Sequence, residues 1–154
     1  MTFSKAVALA MGCAALAAGT VALAASAGDA ISARQANFKE MGKAMKASFG
    51  ELKQAAPSSD VFKANANALA SAAAKVASGF PKGTGPESGA KTQALPAIWE
   101  KPDEFRADAD KLVKAAQTYQ QAAASGNLDA TKAALMQVGG ACKGCHDSFR
   151  AKDN

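Results

Sequence analysis

The chain has a single histidine, His146, among 154 residues. One imidazole excludes any metal centre that needs two, and leaves few ways to build a zinc site. Aromatic residues make up only 6% of the chain, and β-branched residues are sparse. Alternating strand patterns and internal repeats are both missing. A chain so rich in alanine and so poor in strand formers is expected to be helical almost everywhere outside its breakers. Dense Lys/Arg tracts are absent too. The net charge of +5 is spread among interspersed acids and bases, which reads as solvated helix faces and excludes a nucleic-acid binder. No nucleophile stands beside an evident general base, so nothing marks the chain as an enzyme.

The first segment differs from the rest. Met1 to Lys5 is short and basic, and Ala6 to Ala24 is almost wholly apolar. Ala25-Ser26-Ala27 then places small residues at a signal-peptidase spacing. Residues 1–27 are expected to be a secretory signal peptide and residues 28–154 the folded domain. The apolar stretch is just long enough to span a bilayer, but its Ala-rich composition and the small-x-small site favour a leader over an anchor. Cleavage would also remove Cys13, leaving Cys142 and Cys145. An oxidising compartment would normally join such a pair, unless another chemistry claims both thiols.

Four helices are predicted in the remainder. The first runs from Ala30 to Gln54, with Phe38, Met41, Met45, Phe49 and Leu52 on one stripe at intervals of three and four. The second starts at Ser58 or Ser59, either a good N-cap, and reaches Ser78. The third opens at Pro102-Asp103, which suits Pro in a first turn and an acid at the positive end of the helix dipole. It ends at Ser125, before Gly126. Asn127 caps the fourth, Leu128 to Lys152. Short first and last connections make antiparallel neighbours, whereas residues 79–101 form one long loop. The expected fold is all-α, an antiparallel four-helix bundle with a long loop between its second and third helices.

The chemistry-bearing motif is Cys142-Lys143-Gly144-Cys145-His146. C-x-x-C-H is the signature of c-type haem attachment. Each thiol adds to a vinyl group, and the following imidazole ligates the iron. Helical steps of about 100° keep Cys142 and His146 within about 40° of each other, with Cys145 about 60° away. The expected cofactor is one covalent haem c with its iron. A thioredoxin-like dithiol would want a strand before it and a sheet around it. Zinc would need a fourth ligand, for which Asp147 is the nearest candidate. A plain disulfide would leave His146 idle. With one His in the chain, the sixth iron position stays open between two readings. Met41 or Met45 could ligate and make a low-spin electron carrier. An empty apolar site would give a high-spin iron open to small gases. Met136 lies too far along the same helix as His146 to reach the opposite face.

Together these features resemble cytochrome c′, the class II c-type cytochromes of bacterial periplasms. The resemblance rests on C-x-x-C-H near the C-terminus followed by Asp147 and Arg150, and on Arg34-Gln35-x-x-Phe38-Lys39. It rests also on Gly79-Phe80-Pro81-x-Gly83-Thr84 and Pro96-x-Ile98-Trp99. It implies a periplasmic homodimer packed through the first two helices. It implies, too, a five-coordinate iron with Phe38 on the distal side, a steric gate rather than a ligand. NO and CO are then the expected ligands, since an apolar site offers dioxygen no hydrogen-bond donor. Arg34 becomes the partner of a haem propionate, with Gln35 beside it. Arg150 becomes a basic residue tuning the proximal His, and Thr92 and Gln93 become loop residues at the haem. Phe80, Trp99 and Phe105 would wall the pocket. The redox partner is not named by any of these residues.

Overall fold

The structure, a computed structural model, describes the backbone of residues 15–152 and the side chains of residues 27–152. Five helices follow one another: α1 Ala15–Glu51, α2 Ser59–Ala73, α3 Ala97–Glu100, α4 Pro102–Ser125 and α5 Leu128–Phe149. Four of them, α1, α2, α4 and α5, form the expected bundle, and α3 is one turn inside the long loop. Among the described residues no strand forms beyond a single antiparallel bridge between Ala94 and Arg150.

The termini of α4 and the start of α5 follow their sequence signals. Gly126 adopts φ +73°, the left-handed cap conformation open to glycine at little cost. Asn127 Oδ1 then accepts from the Ala130 amide at 2.9 Å, capping α5. Other boundaries differ from expectation. α1 begins upstream of Ala30, because no proline interrupts the alanine-rich run from Ala15. It ends at Glu51, where the last turn tightens as Lys53 bonds to Gly50 and Gln54 to Glu51. α2 stops at Ala73 and finishes in a 3-10 turn, Ala77–Gly79, rather than continuing helically to Ser78. Ser58 occupies the N-cap position of α2 but makes no side-chain cap; its own amide donates to Glu51 Oε1 at 2.7 Å. α5 ends at Phe149, three residues early, because the chain leaves the helix to pair with the loop at Ala94.

The leader expected over residues 1–27 lies largely outside the described side chains. Among the described side chains, Ile31 is the first that is buried; none of 27–30 is. No helix among the described residues is long and apolar enough to cross a membrane.

Packing is closest between α1 and α2, α2 and α4, and α4 and α5, while α1 and α5 barely touch. Small residues let the helices approach: Ala66, Ala73, Ala116 and Ala134 are buried among Leu69, Leu135 and Val138. One polar bond crosses this core. Tyr119 of α4 is fully buried and donates to Ser48 Oγ of α1 at 2.8 Å, while Ser48 donates to the Ala44 carbonyl. Burial raises the Tyr119 pKa, so the hydroxyl stays a donor. Tyr119→Phe is expected to cost about 1 kcal/mol, the net value of one such bond. Urea unfolding should show a lower midpoint with an unchanged slope.

Candidate functional site

Between α1, α4 and α5 lies a cavity of about 620 Å³, lined on one side by residues of the loop from α2 to α3. The expected site residues Arg34, Gln35, Phe38, Thr92, Gln93, Cys142, Cys145, His146 and Arg150 line it, as do the expected wall residues Phe80 and Phe105, whereas Trp99 stands behind Phe80 and does not. Met41 and Met45 line it as well. Met136 does not; its side chain is 59% exposed on the outside of α5.

α5 presents the reactive groups on one face. Cys142 and Cys145 are free thiols, half-buried against the core. Burial pushes both thiols up, Cys145 to about 11, with the nearby charge of Asp108 adding to the rise. Such thiols stay protonated at neutral pH. Burial also pulls the His146 pKa down, and the charge of Arg150 pulls in the same direction, with Asp147 opposing. The imidazole is thereby held neutral, the form a metal accepts.

Phe38 of α1 faces this cluster across the cavity. Its ring centroid lies 6.5 Å from that of His146, the planes inclined at 60°. Behind it stands a chain of aromatic rings. Phe38 meets Phe80 at 6.1 Å, Phe80 meets Phe105 at 4.9 Å, and Phe105 meets Phe149 at 5.4 Å. Trp99 closes the outer end at 6.2 Å from Phe80, its indole N–H donating to the Phe80 and Pro81 carbonyls.

Arg34 is the buried charge of the site, only 5% exposed. Its guanidinium donates to Thr84 Oγ1 at 2.8 Å, the Thr84 carbonyl at 2.7 Å and Thr92 Oγ1 at 2.8 Å, and lies 4.6 Å over the Phe80 ring. Those partners are hydroxyl and carbonyl oxygens, not carboxylates. Gly79 brings the 3-10 turn against α1 here: a β-carbon on it would sit 3.3 Å from Arg34 Cβ. Gln35 donates to the Lys91 carbonyl at 3.0 Å, tying the same loop down.

Arg150 needs a correction. On a continuing helix it would lie one turn beyond His146. Instead its backbone is extended, with φ −120° and ψ 133°, though its amide still bonds to the His146 carbonyl. Its Nε donates to Gln93 Oε1 at 2.9 Å. Leu95 N–Phe149 O and Ala151 N–Gln93 O bonds stitch the loop to the end of α5. Sequence reasoning gave Thr84 no role, and no local signal marks a threonine fifty residues from its arginine. Asp108 was also missed. Its signal was present: it falls on the same helical face as Phe105 and Leu112.

These residues fit a covalent haem. The volume is within the range of cofactor pockets, about 300–1,000 Å³, and the walls are largely apolar. Two thiols and a neutral imidazole share one face, and a buried guanidinium, held by Thr84 and Thr92, stands in the cavity wall.

Comparison with known proteins points to cytochrome c′, and a cytochrome c-554 of Cereibacter sphaeroides is also 42% identical over 74 residues, 48% of this chain. The family model for cytochrome c′ matches residues 29–150. The cytochrome c′ of Pararhodospirillum photometricum is 38% identical over 117 residues, covering 76% of this chain and 92% of that one. The crystal structure of cytochrome c′ from Thermochromatium tepidum superposes with a TM-score of 0.77 at 30% identity, covering 82% of this chain and 97% of that one. A nitric oxide complex of a cytochrome c′ variant from Alcaligenes xylosoxidans superposes with a TM-score of 0.72 at 28% identity, covering 81% and 95%.

Proposed function

The chain belongs to the cytochrome c′ family, whose cofactor is covalent haem c with its iron, and from this we propose that it is a periplasmic five-coordinate haem protein that binds NO and CO. Cys142 and Cys145 form the two thioethers, and His146 is the proximal ligand. The bound iron supplies the ligand-binding and one-electron chemistry; the chain decides what reaches it. The single observation that carries this reading is Phe38, an aromatic ring set 6.5 Å from the ring of His146. Phe38 offers no donor atom, so it shields the distal side without ligating. The nitric oxide complex of the Alcaligenes relative supports the choice of gas. Dioxygen is disfavoured, because the phenyl ring gives it no hydrogen bond.

Arg34 pairs with a haem carboxylate. Its buried guanidinium is already aimed by Thr84 and Thr92, so little order is lost when the anion arrives. Gln35, Thr92 and Gln93 hold the loop that closes this end. Arg150 acts on the proximal side, where its charge lowers the proton affinity of His146. We read the chain as a ligand binder rather than an enzyme, because the haem would claim both thiols and His146, its single histidine. It works as a homodimer through α1 and α2, after cleavage of the leader over residues 1–27, with a redox partner of unspecified kind.

A second reading keeps Met41 or Met45 as sixth ligand, because both line the same cavity. Met41 is buried in the core, however, and Met45 packs toward Gly139 of α5. One optical experiment separates the two readings. The reduced protein is expected to show a high-spin spectrum that shifts on adding CO or NO. A low-spin spectrum indifferent to CO, and lost in Met41→Leu or Met45→Leu, would establish the second reading instead.

A further inference from the structure

One acid intrudes on the cavity wall. Asp108 stands on α4 one turn after Phe105 and one turn before Leu112, and the helical repeat turns all three inward. Its side chain is 20% exposed, whereas the acids of the other ion pairs among the described residues are 58–96% exposed. The remaining charged side chains lining the cavity, Arg34, Lys39 and Arg150, are cations. Lys111, 70% exposed, reaches Asp108 from the solvent side at 2.8 Å. An ordinary i,i+3 surface pair needs no burial of its carboxylate, and burying one is costly unless something offsets it. The carboxylate also lies close enough to Cys145 for its charge to act on the sulfur.

We propose that Asp108 is a tuning residue: its carboxylate, partly neutralised by Lys111, holds the reduction potential of the haem clipped at Cys142 and Cys145 below the value the same cavity would give with a neutral side chain there. This rests on the haem reading above. One-electron reduction adds one negative charge to the cavity. Beside a fixed carboxylate that addition is less favourable than beside an amide, and a low-dielectric wall screens the difference poorly. Lys111 works in the opposite sense. The pair therefore acts as a two-sided electrostatic setting, with the acid facing in and the base facing out.

The test is the midpoint potential of the full holoprotein, measured by spectroelectrochemistry at fixed pH and at low and high salt. Asp108→Asn, nearly isosteric, is expected to raise the potential, and Asp108→Glu to leave it near the parent value. Lys111→Met is expected to lower it, and because Lys111 is exposed this variant tests the idea without touching the core. High salt should shrink the Lys111→Met shift more than the Asp108→Asn shift, since the lysine is the solvated partner. Haem-loaded variants that leave the potential unmoved, or that move it in the same direction, would overturn the proposal while leaving the haem reading intact. A parent protein purified without covalent haem would overturn both.

Discussion

Serine at both Cys142 and Cys145 is expected to yield a chain that carries no haem through denaturing electrophoresis. The parent chain should stain for haem in the same gel. The prediction follows from the free thiols and from His146 sharing one face of α5 with them. Serine hydroxyls do not form the thioethers, so any haem retained by His146 is held by one coordinate bond and by the cavity walls. Each single replacement should leave one thioether and weaker staining. Stability should fall as well. The cavity is walled by Phe38, Phe80, Phe105, Leu112 and Phe149, and a haem tethered at Cys142 and Cys145 is presented to these apolar walls at high effective concentration, so its burial stabilises the folded chain. Losing the buried haem leaves that apolar wall without its contacts, an effect of about 2–5 kcal/mol if it resembles emptying a core side-chain site. At about 3–5 °C per kcal/mol, the melting midpoint of the double variant should fall by about 6–25 °C. Undiminished haem staining of the double variant would refute covalent attachment at these sites.

Much of this site could be read from the sequence, and the reasons differ residue by residue. The haem clip was legible because its chemistry is local: two thiols and an imidazole within five positions of one helix. α4 was legible to the residue because Pro102, with no amide hydrogen and a φ already fixed in the helical range, suits a first turn, and Gly126 takes a left-handed φ that few other residues favour. Where tertiary contact sets the boundary, sequence reasoning failed. α5 stops at Phe149 because residues 93–95 pair with its end, a partner more than fifty residues away. The same pairing turns Arg150 toward Gln93, which helical spacing could not foretell. Thr84 belongs to this class too, since its hydroxyl matters only once the loop folds over Arg34. Asp108 is the opposite case. Its inward register was readable from Phe105 and Leu112, but an acid on an apolar stripe is readily taken for an exposed residue at a stripe edge.

Phe38→Ala is expected to speed CO association with the reduced protein by about tenfold to a hundredfold. The ring lines the cavity on the α1 side, facing His146 of α5, and is tilted at 60° to both the Phe80 and His146 rings. A ligand approaching from that side must displace it, and Phe80 resists the displacement from behind. Steric work of about 1.4–2.8 kcal/mol corresponds to that range of rates. Arg34 over Phe80 and the Trp99 bonds to the Phe80 and Pro81 carbonyls brace the ring that backs Phe38. Trp99→Leu should therefore loosen the gate in the same direction by a smaller factor, because it leaves Phe38 itself in place. Stopped-flow mixing with CO distinguishes a gate from mere packing. A ring that only fills space would, on removal, lower stability without changing the association rate. A rate unchanged in Phe38→Ala would end the gate reading. A low-spin spectrum gained in the same variant would show that Phe38 had been keeping Met41 or Met45 from the iron.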